Sequence, residues 1–154
     1  MEISRVDMPL VIDHLSEPVH RDVLAIYAQI NQYAEYGDFS DLSRLLEEFN
    51  GQQTYVACEA GRVLGVANYT PSLCRDYGWI NGMATRPERQ RSGVGSFMIR
   101  CLSQTAINDG RRALELYSAP EAVRFYRKLG FTEIRDYRLE LDDEFPRMRL
   151  DIAS

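Results

Sequence analysis

Between Tyr77 and Tyr117 the hydrophobic pattern changes period twice, which limits the chain to folds where a strand enters a helix through a glycine turn. Tyr77 to Thr85 reads as a strand. Pro87 ends its regular pairing, because proline has no N–H to give a ladder. From Gly93 to Asp109, Val94, Phe97, Met98, Cys101 and Leu102 fall at i, i+3, i+4, i+7 and i+8, one face of a helix. Gly110 stands where a left-handed C-terminal residue belongs. Ala113 to Tyr117 then returns to a short strand.

The rest of the chain extends this pattern. Glu2 to Val6 opens as a strand. A helix follows, with Val19, Val23, Ile26, Tyr27 and Ile30 on one face, Ser16 as its cap and Pro18 in its first turn. A second helix is expected from Asp41 to Phe49, capped by Ser40 and stopped by Asn50-Gly51. Thr54–Cys58 and Val63–Tyr69 read as a hairpin around Ala60-Gly61. Pro120 opens a last helix, which Gly130 closes, and Phe131–Leu141 and Met148–Ile152 read as two final strands. The expectation is one mixed α/β domain over residues 1–154, with six to seven strands and about four helices. At 154 residues such a domain buries a full core.

Composition excludes several classes. The net charge of −5 argues against general nucleic-acid binding, which needs a basic surface. Cys58, Cys74 and Cys101 form neither a disulfide framework nor a CxxC site, and His14 and His20 are the only histidines, so no metal is expected. No apolar run reaches membrane-spanning length, and the first residues lack the apolar core of a signal peptide. The expected location is the cytoplasm.

The segment Gln90-Arg91-Ser92-Gly93-Val94-Gly95-Ser96 carries the chemistry. A helix start leaves amide N–H groups without intrahelical acceptors, and the helix dipole makes that end positive. Glycines let an anion approach the main chain, and the result suits phosphate. Arg86, Arg89 and Arg91 add charge beside it. The bland alternative is a loop whose glycines serve only the turn. A dinucleotide-binding fingerprint needs a small residue where Met98 stands, and a P-loop needs a Gly-Lys-Ser/Thr string that the chain lacks.

A second string follows: Ala122-Val123-Arg124-Phe125-Tyr126-Arg127-Lys128-Leu129-Gly130-Phe131. Together the two strings resemble the GNAT superfamily of acyl-CoA-dependent N-acyltransferases. The first is similar to that family's Gln/Arg-x-x-Gly-x-Gly/Ala pyrophosphate turn, the second to its A-x-x-F-Y-x-K-x-G-F helix and turn. The motifs cover about Tyr77 to Phe131, and the order of elements fits the family fold over nearly the whole chain.

The resemblance implies a fold with splayed fourth and fifth strands, and acetyl-CoA as acyl donor. Main-chain groups of Met83, Ala84 and Thr85 would pair with the pantetheine arm, and Gln90, Arg91, Ser92, Gly93, Val94, Gly95 and Ser96 would hold the pyrophosphate. Gly82 would admit another backbone or a ligand, or mark a simple bulge. A primary amine would attack the thioester directly in a ternary complex, with a fourth-strand N–H, that of Met83, polarising the carbonyl. Tyr126 occupies the place of the residue that protonates the leaving thiolate; it also shares a helical face with Ala122 and Leu129, as a core aromatic would, but the motif around it favours the catalytic role.

Two departures stand out. Ala119 replaces an asparagine that contacts the cofactor arm in many members, with Ser118 a substitute. Trp79 replaces a glutamate that serves some members as base. Glu115 and Tyr77 are nearby candidates for that role, and a water chain to solvent is another. The acceptor would enter near Asn31–Phe39, where rings and carboxylates suit a cationic amine, or near Tyr69–Tyr77. A non-catalytic acyl-CoA-binding module on the same fold is the alternative function, and an interaction domain with a degenerate site is a third. Met148–Ile152 is the strand through which a homodimer would pair.

Overall fold

A computed structural model describes residues 1–28, 42–72, 74–134 and 145–152. The expected helix face at Ile30, the cap at Ser40, the acceptor segment Asn31–Phe39 and most of the strand Phe131–Leu141 lie outside these residues. Seven strands are described: β1 (Glu2–Val6), β2 (Gln53–Glu59), β3 (Arg62–Pro71), β4 (Tyr77–Thr85), β5 (Ala113–Tyr117), β6 (Thr132–Glu133) and β7 (Arg147–Asp151). Four α-helices accompany them: α1 (Pro18–Tyr27), α2 (Leu42–Glu47), α3 (Val94–Asn108) and α4 (Val123–Lys128). The strands form one mixed sheet in the order β1-β2-β3-β4-β5-β7-β6. The chain forms two compact units, Met1–Thr70 with Gly82–Cys101, and Pro71–Asn81 with Leu102–Ser154. Both β4 and α3 run through the two of them.

The first unit is built on antiparallel pairing. β1 pairs with β2 from Glu2↔Cys58 to Val6↔Thr54, and β2 pairs with β3 from Gln53↔Tyr69 to Glu59↔Arg62, with a register shift at Ala57/Cys58. The connecting turn is tight, with Ala60 at φ 51° and Gly61 at φ 77°. Val23, Leu24, Ile26 and Tyr27 of α1, Leu45 and Leu46 of α2, and Phe49 pack with Val56, Val63 and Val66 in the core. Each such side chain contributes about 1.5–3 kcal/mol when fully buried. The cap of α1 is Glu17, without a side-chain capping bond, in place of the expected Ser16. Pro18 takes the first helical position, so its missing N–H costs nothing.

Gly82 makes room for a side chain of the core, not for a ligand. A Cβ there would stand 2.1 Å from Tyr27 Oη and 2.8 Å from its Cζ. Tyr27 is fully buried and its ring lies 4.9 Å from that of Phe49, so it has nowhere to retreat. Gly82→Ala is therefore expected to destabilise by about 1–3 kcal/mol through overpacking, lowering the melting temperature by roughly 3–10 °C. Adding Tyr27→Phe, which removes the nearest atom, should recover part of that loss. A Gly82→Ala melt equal to wild type would refute the packing account.

In the second unit β4 and β5 are parallel, from Tyr77↔Ala113 to Ile80↔Leu116, and the register ends there. β5 pairs antiparallel with β7, placing Glu115 opposite Arg149 and Tyr117 opposite Arg147. Strand alternation sorts the sheet into two faces. Ile80, Leu114, Leu116 and Met148 are buried on one, while Tyr77, Trp79, Glu115, Tyr117, Arg147 and Arg149 share the other. Met148 and Arg149 have in-chain partners on both edges, β5 on one side and β6 on the other. Those two positions of the strand expected to pair between copies are thus interior to the sheet.

The last helix starts differently from the expectation. Pro120 begins a single 3-10 turn, Pro120–Ala122, and α4 follows at Val123. Gly110 (φ 77°) and Gly130 (φ 102°) end their helices in the left-handed region, where a Cβ is penalised.

Candidate functional site

The glycine turn lies in the first unit. Phe97 N–H donates to the Gly93 carbonyl at 3.0 Å, so the amides of Val94, Gly95 and Ser96 precede the first helical hydrogen bond of α3. Gly93 has φ 88°, and apart from its chain neighbours no atom of the described residues lies within 4 Å of where its Cβ would be. That is open space beside a row of amide donors. Arg91 is also left-handed, with φ 66°, and is exposed. The geometry fits an anionic diphosphate: unengaged donors, a vacated side-chain position and the positive end of a helix dipole.

The three arginines are not equivalent. Arg86 donates from Nε to the Val63 carbonyl at 2.9 Å, which ties the end of β4 to β3. Arg89 pairs with Glu59 at 2.9 Å, and that guanidinium holds the Glu59 carboxyl below its ordinary range. Only Arg91 has no ion pair among the described residues. The expected basic patch is therefore one free cation with two structural ones. Ser92 turns its hydroxyl back onto the Arg89 carbonyl, closing the turn.

Gly65 is a residue whose importance the sequence did not reveal. A Cβ on it would stand 2.7 Å from Met98 Sδ, 2.9 Å from Val94 Cγ1 and 3.3 Å from the Ala84 carbonyl oxygen. Gly65 thus lets the first turn of α3 seat against β3 and the end of β4. Met83, Ala84 and Thr85 are all partly exposed on that end of β4. The only sequence signal was a glycine in the middle of an apolar strand.

The second unit carries Tyr126. It is 8% exposed, with the rings of Phe125 and Phe131 at 5.1 and 5.3 Å. Burial pushes its phenol up to about 12. The hydroxyl is therefore neutral at physiological pH and retains its proton. Ser118, offered as a stand-in for the missing asparagine, donates its hydroxyl to the Ala119 carbonyl at 2.8 Å.

Both nearby base candidates are engaged. Glu115 is 2% exposed and held by two guanidiniums: Arg147 Nε donates to Oε1 and Arg149 Nη1 to Oε2, each at 2.8 Å. Tyr77 Oη accepts from Arg147 Nη2 at 3.0 Å. Glu115 is thus a buried carboxylate bound in two ion pairs and Tyr77 a phenol tied to Arg147, and neither stands as an unengaged base. Among the described residues no group of three His, Cys, Asp or Glu side chains could hold a metal ion, and no helix is long and apolar enough to cross a membrane.

The acetyltransferase (GNAT) family profile matches residues 21–131, a span that includes the glycine turn, Tyr126 and Phe131. The chain belongs to the acetyltransferase (GNAT) family. This is a family that draws its acyl group from acetyl-CoA. Solved structures agree on the GNAT fold. An aminoglycoside 6'-acetyltransferase type Ii superposes with a TM-score of 0.74 at 20% identity, over 100% of this chain and 99% of that one. Tetrahymena GCN5 gives a TM-score of 0.70 at 16% identity, over 96% of each chain. An aminoglycoside 6'-N-acetyltransferase complexed with coenzyme A gives 0.69 at 17% identity, over 100% and 98%. No curated protein matches the chain.

Proposed function

We propose that this GNAT protein is an N-acetyltransferase that moves an acetyl group from acetyl-CoA to a primary amine by direct attack in a ternary complex. The observation that carries this reading is the turn at Gly93, where left-handed backbone, open space and the leading amides of α3 coincide. Gln90, Arg91, Ser92, Gly93, Val94, Gly95 and Ser96 bind the pyrophosphate, with Arg91 supplying the free positive charge. Main-chain groups of Met83, Ala84 and Thr85 bind the pantetheine arm, and the Met83 N–H polarises the carbonyl. Bound acetyl-CoA supplies an activated thioester that a neutral amine attacks without a covalent enzyme intermediate.

Tyr126 steadies the departing sulfur. A phenol near 12 is a poor proton source for a thiolate of pKa about 8.5. Its hydroxyl works by donating a hydrogen bond to the developing negative charge, and solvent completes the protonation. With Glu115 and Tyr77 engaged, the amine's proton also leaves through water.

The test is release of free thiol from acetyl-CoA in the presence of an amine panel. Tyr126→Phe should lower kcat by about 100-fold, the scale of one hydrogen-bond donor to developing charge, with acetyl-CoA affinity unchanged. A variant with normal turnover would remove Tyr126 from the reaction. Trp79 at the base position and the burial of Tyr126 favour one competing reading, a non-catalytic acyl-CoA-binding module. Saturable acetyl-CoA binding with no thiol release across the panel would establish that reading instead.

A further inference from the structure

The end of the β2–β3 hairpin grips the segment that leads into the glycine turn. Glu59 and Arg62 face each other as the last pair of that ladder. Opposite charges facing across a ladder attract each other. Here each also reaches outward, to the 3-10 turn Pro87–Arg89 that follows β4. Glu59 Oε2 lies 2.9 Å from Arg89 Nη2, and Arg62 Nη2 lies 2.5 Å from Glu88 Oε1. Two neighbours of opposite sign thus meet a cross-strand pair of opposite sign. The main chain backs this grip. Arg86 N–H donates to the Leu64 carbonyl at 2.8 Å, and Arg86 Nε to that of Val63 at 2.9 Å. All of these residues belong to the first unit, as does the glycine turn.

The grip continues into the turn through Arg89. Its carbonyl accepts the Ser92 hydroxyl and, at 3.3 Å, the Ser92 N–H. Its Nε donates to Ser92 Oγ at 3.4 Å. Ser92 stands between two left-handed residues, Arg91 at φ 66° and Gly93 at φ 88°. A left-handed arginine is disfavoured, because its Cβ crowds the following carbonyl. Such a conformation persists only where the surroundings hold it. Arg89 is held by Glu59 on its side chain and holds Ser92 with its carbonyl. The amides at the start of α3 follow directly after.

We propose that Glu59 and Arg62 are positioning residues for the glycine turn, latching it through Arg89 and Glu88 in the shape that receives the diphosphate. The proposal rests on the reading of that turn as the pyrophosphate site. Its sign is opposite to that of simple electrostatics. Glu59 adds negative charge near the turn, so by charge alone its removal would tighten the binding of a polyanion. Through the latch, its removal weakens that binding.

Calorimetric titration with acetyl-CoA and hydrogen exchange of the free protein test this together. Glu59 and Arg62 are 46% and 57% exposed, so replacing them opens no core. Glu59→Ala should raise the acetyl-CoA Kd by about three-fold, a size within one exposed ion pair. Glu59→Ala/Arg62→Ala leaves the net charge unchanged and should raise it by about ten-fold, or 1.4 kcal/mol, within reach of two such pairs. Glu59→Asp/Arg62→Lys keeps both charges and should bind about three-fold or more tightly than the double alanine variant. Gln90, Ser92 and Phe97 donate their amides within the turn. Without ligand, exchange at these three should quicken about five-fold in the double alanine variant, while amides inside α1 keep wild-type rates. Tighter or unchanged binding by Glu59→Ala would overturn the latch. So would a uniform quickening across α1 and the turn, which is what plain loss of stability gives. Faster exchange at the turn alone, in a protein whose wild type binds no acetyl-CoA, would overturn the diphosphate reading and leave the latch standing. Wild-type binding of acetyl-CoA with turn exchange unchanged in the double variant would do the reverse.

Discussion

Gly93→Asp is expected to weaken acetyl-CoA binding by about 100-fold or more in a protein that still folds. At φ 88° any L-residue is strained, by about 1–2 kcal/mol. Among the described residues nothing beyond the chain neighbours lies within 4 Å of the new Cβ, so none of them adds a clash to that strain. The position immediately precedes Val94, the first residue of α3, and a carboxylate there reaches the amides that would hold the pyrophosphate. It fills the cradle and repels the ligand at once. One unit charge about 5 Å from a phosphate, at an effective dielectric near 20, costs about 3 kcal/mol, which is roughly 100-fold in affinity. Gly93→Asn separates the two effects, because asparagine tolerates the left-handed region and carries no charge. It should bind more tightly than the aspartate variant. Calorimetric titration measures both. A thermal melt gives a second reading: at a hundred times its dissociation constant the ligand adds about 2.7 kcal/mol, roughly 5–10 °C for a chain of this size. Wild type should show that rise and Gly93→Asp should not. Equal affinity in a folded variant would show that the turn holds no phosphate.

Glu115→Ala is expected to destabilise the protein by about 3 kcal/mol. Glu115 is 2% exposed and joins Arg147 and Arg149 across the β5–β7 ladder. Removing one member of a buried ionic cluster typically costs about 3–5 kcal/mol, because the remaining charge stays unpaired. The lower end applies here. The two arginine side chains are 22% and 23% exposed and can hydrate in part, and Arg149 keeps Asp76 and Asp151. The melting temperature should fall by roughly 6–12 °C. Glu115→Gln retains an oxygen acceptor and should lose less. Chemical denaturation at neutral pH checks both variants. A loss of under about 1 kcal/mol for the alanine variant, the scale of a surface pair, would mean that the cluster is solvated and contributes little.

The two predictions rest on information of different kinds. The turn at Gly93 was visible in the sequence because its components are neighbours: a strand, a proline, two glycines and a helical period within some thirty residues. The same holds for β1, for the Ala60-Gly61 turn, and for Gly110 and Gly130 at their helix ends. Each depends on the backbone freedom or side-chain period of residues a few positions apart. Helix starts were less legible, since the cap of α1 at Glu17 makes no side-chain bond that composition would betray.

The Glu115 cluster was not visible, and Glu115 read as a candidate base. Its partners lie 32 and 34 residues away, and only the β5–β7 register sets them beside it. Gly65 and Gly82 were opaque for the same reason. A glycine's sequence neighbours do not say that Met98, Val94 or the Tyr27 hydroxyl will fill the space its side chain leaves open. Likewise, three arginines beside a turn looked like one basic patch until Glu59 and the Val63 carbonyl claimed two of them. By itself, then, the sequence determined the order of elements, the glycine turn and the family, because backbone preference and side-chain period act over a few residues. Tertiary structure alone decided which charges are free, which carboxylate is engaged and which glycine admits a neighbour, because packing and ion pairing join residues that are distant along the chain.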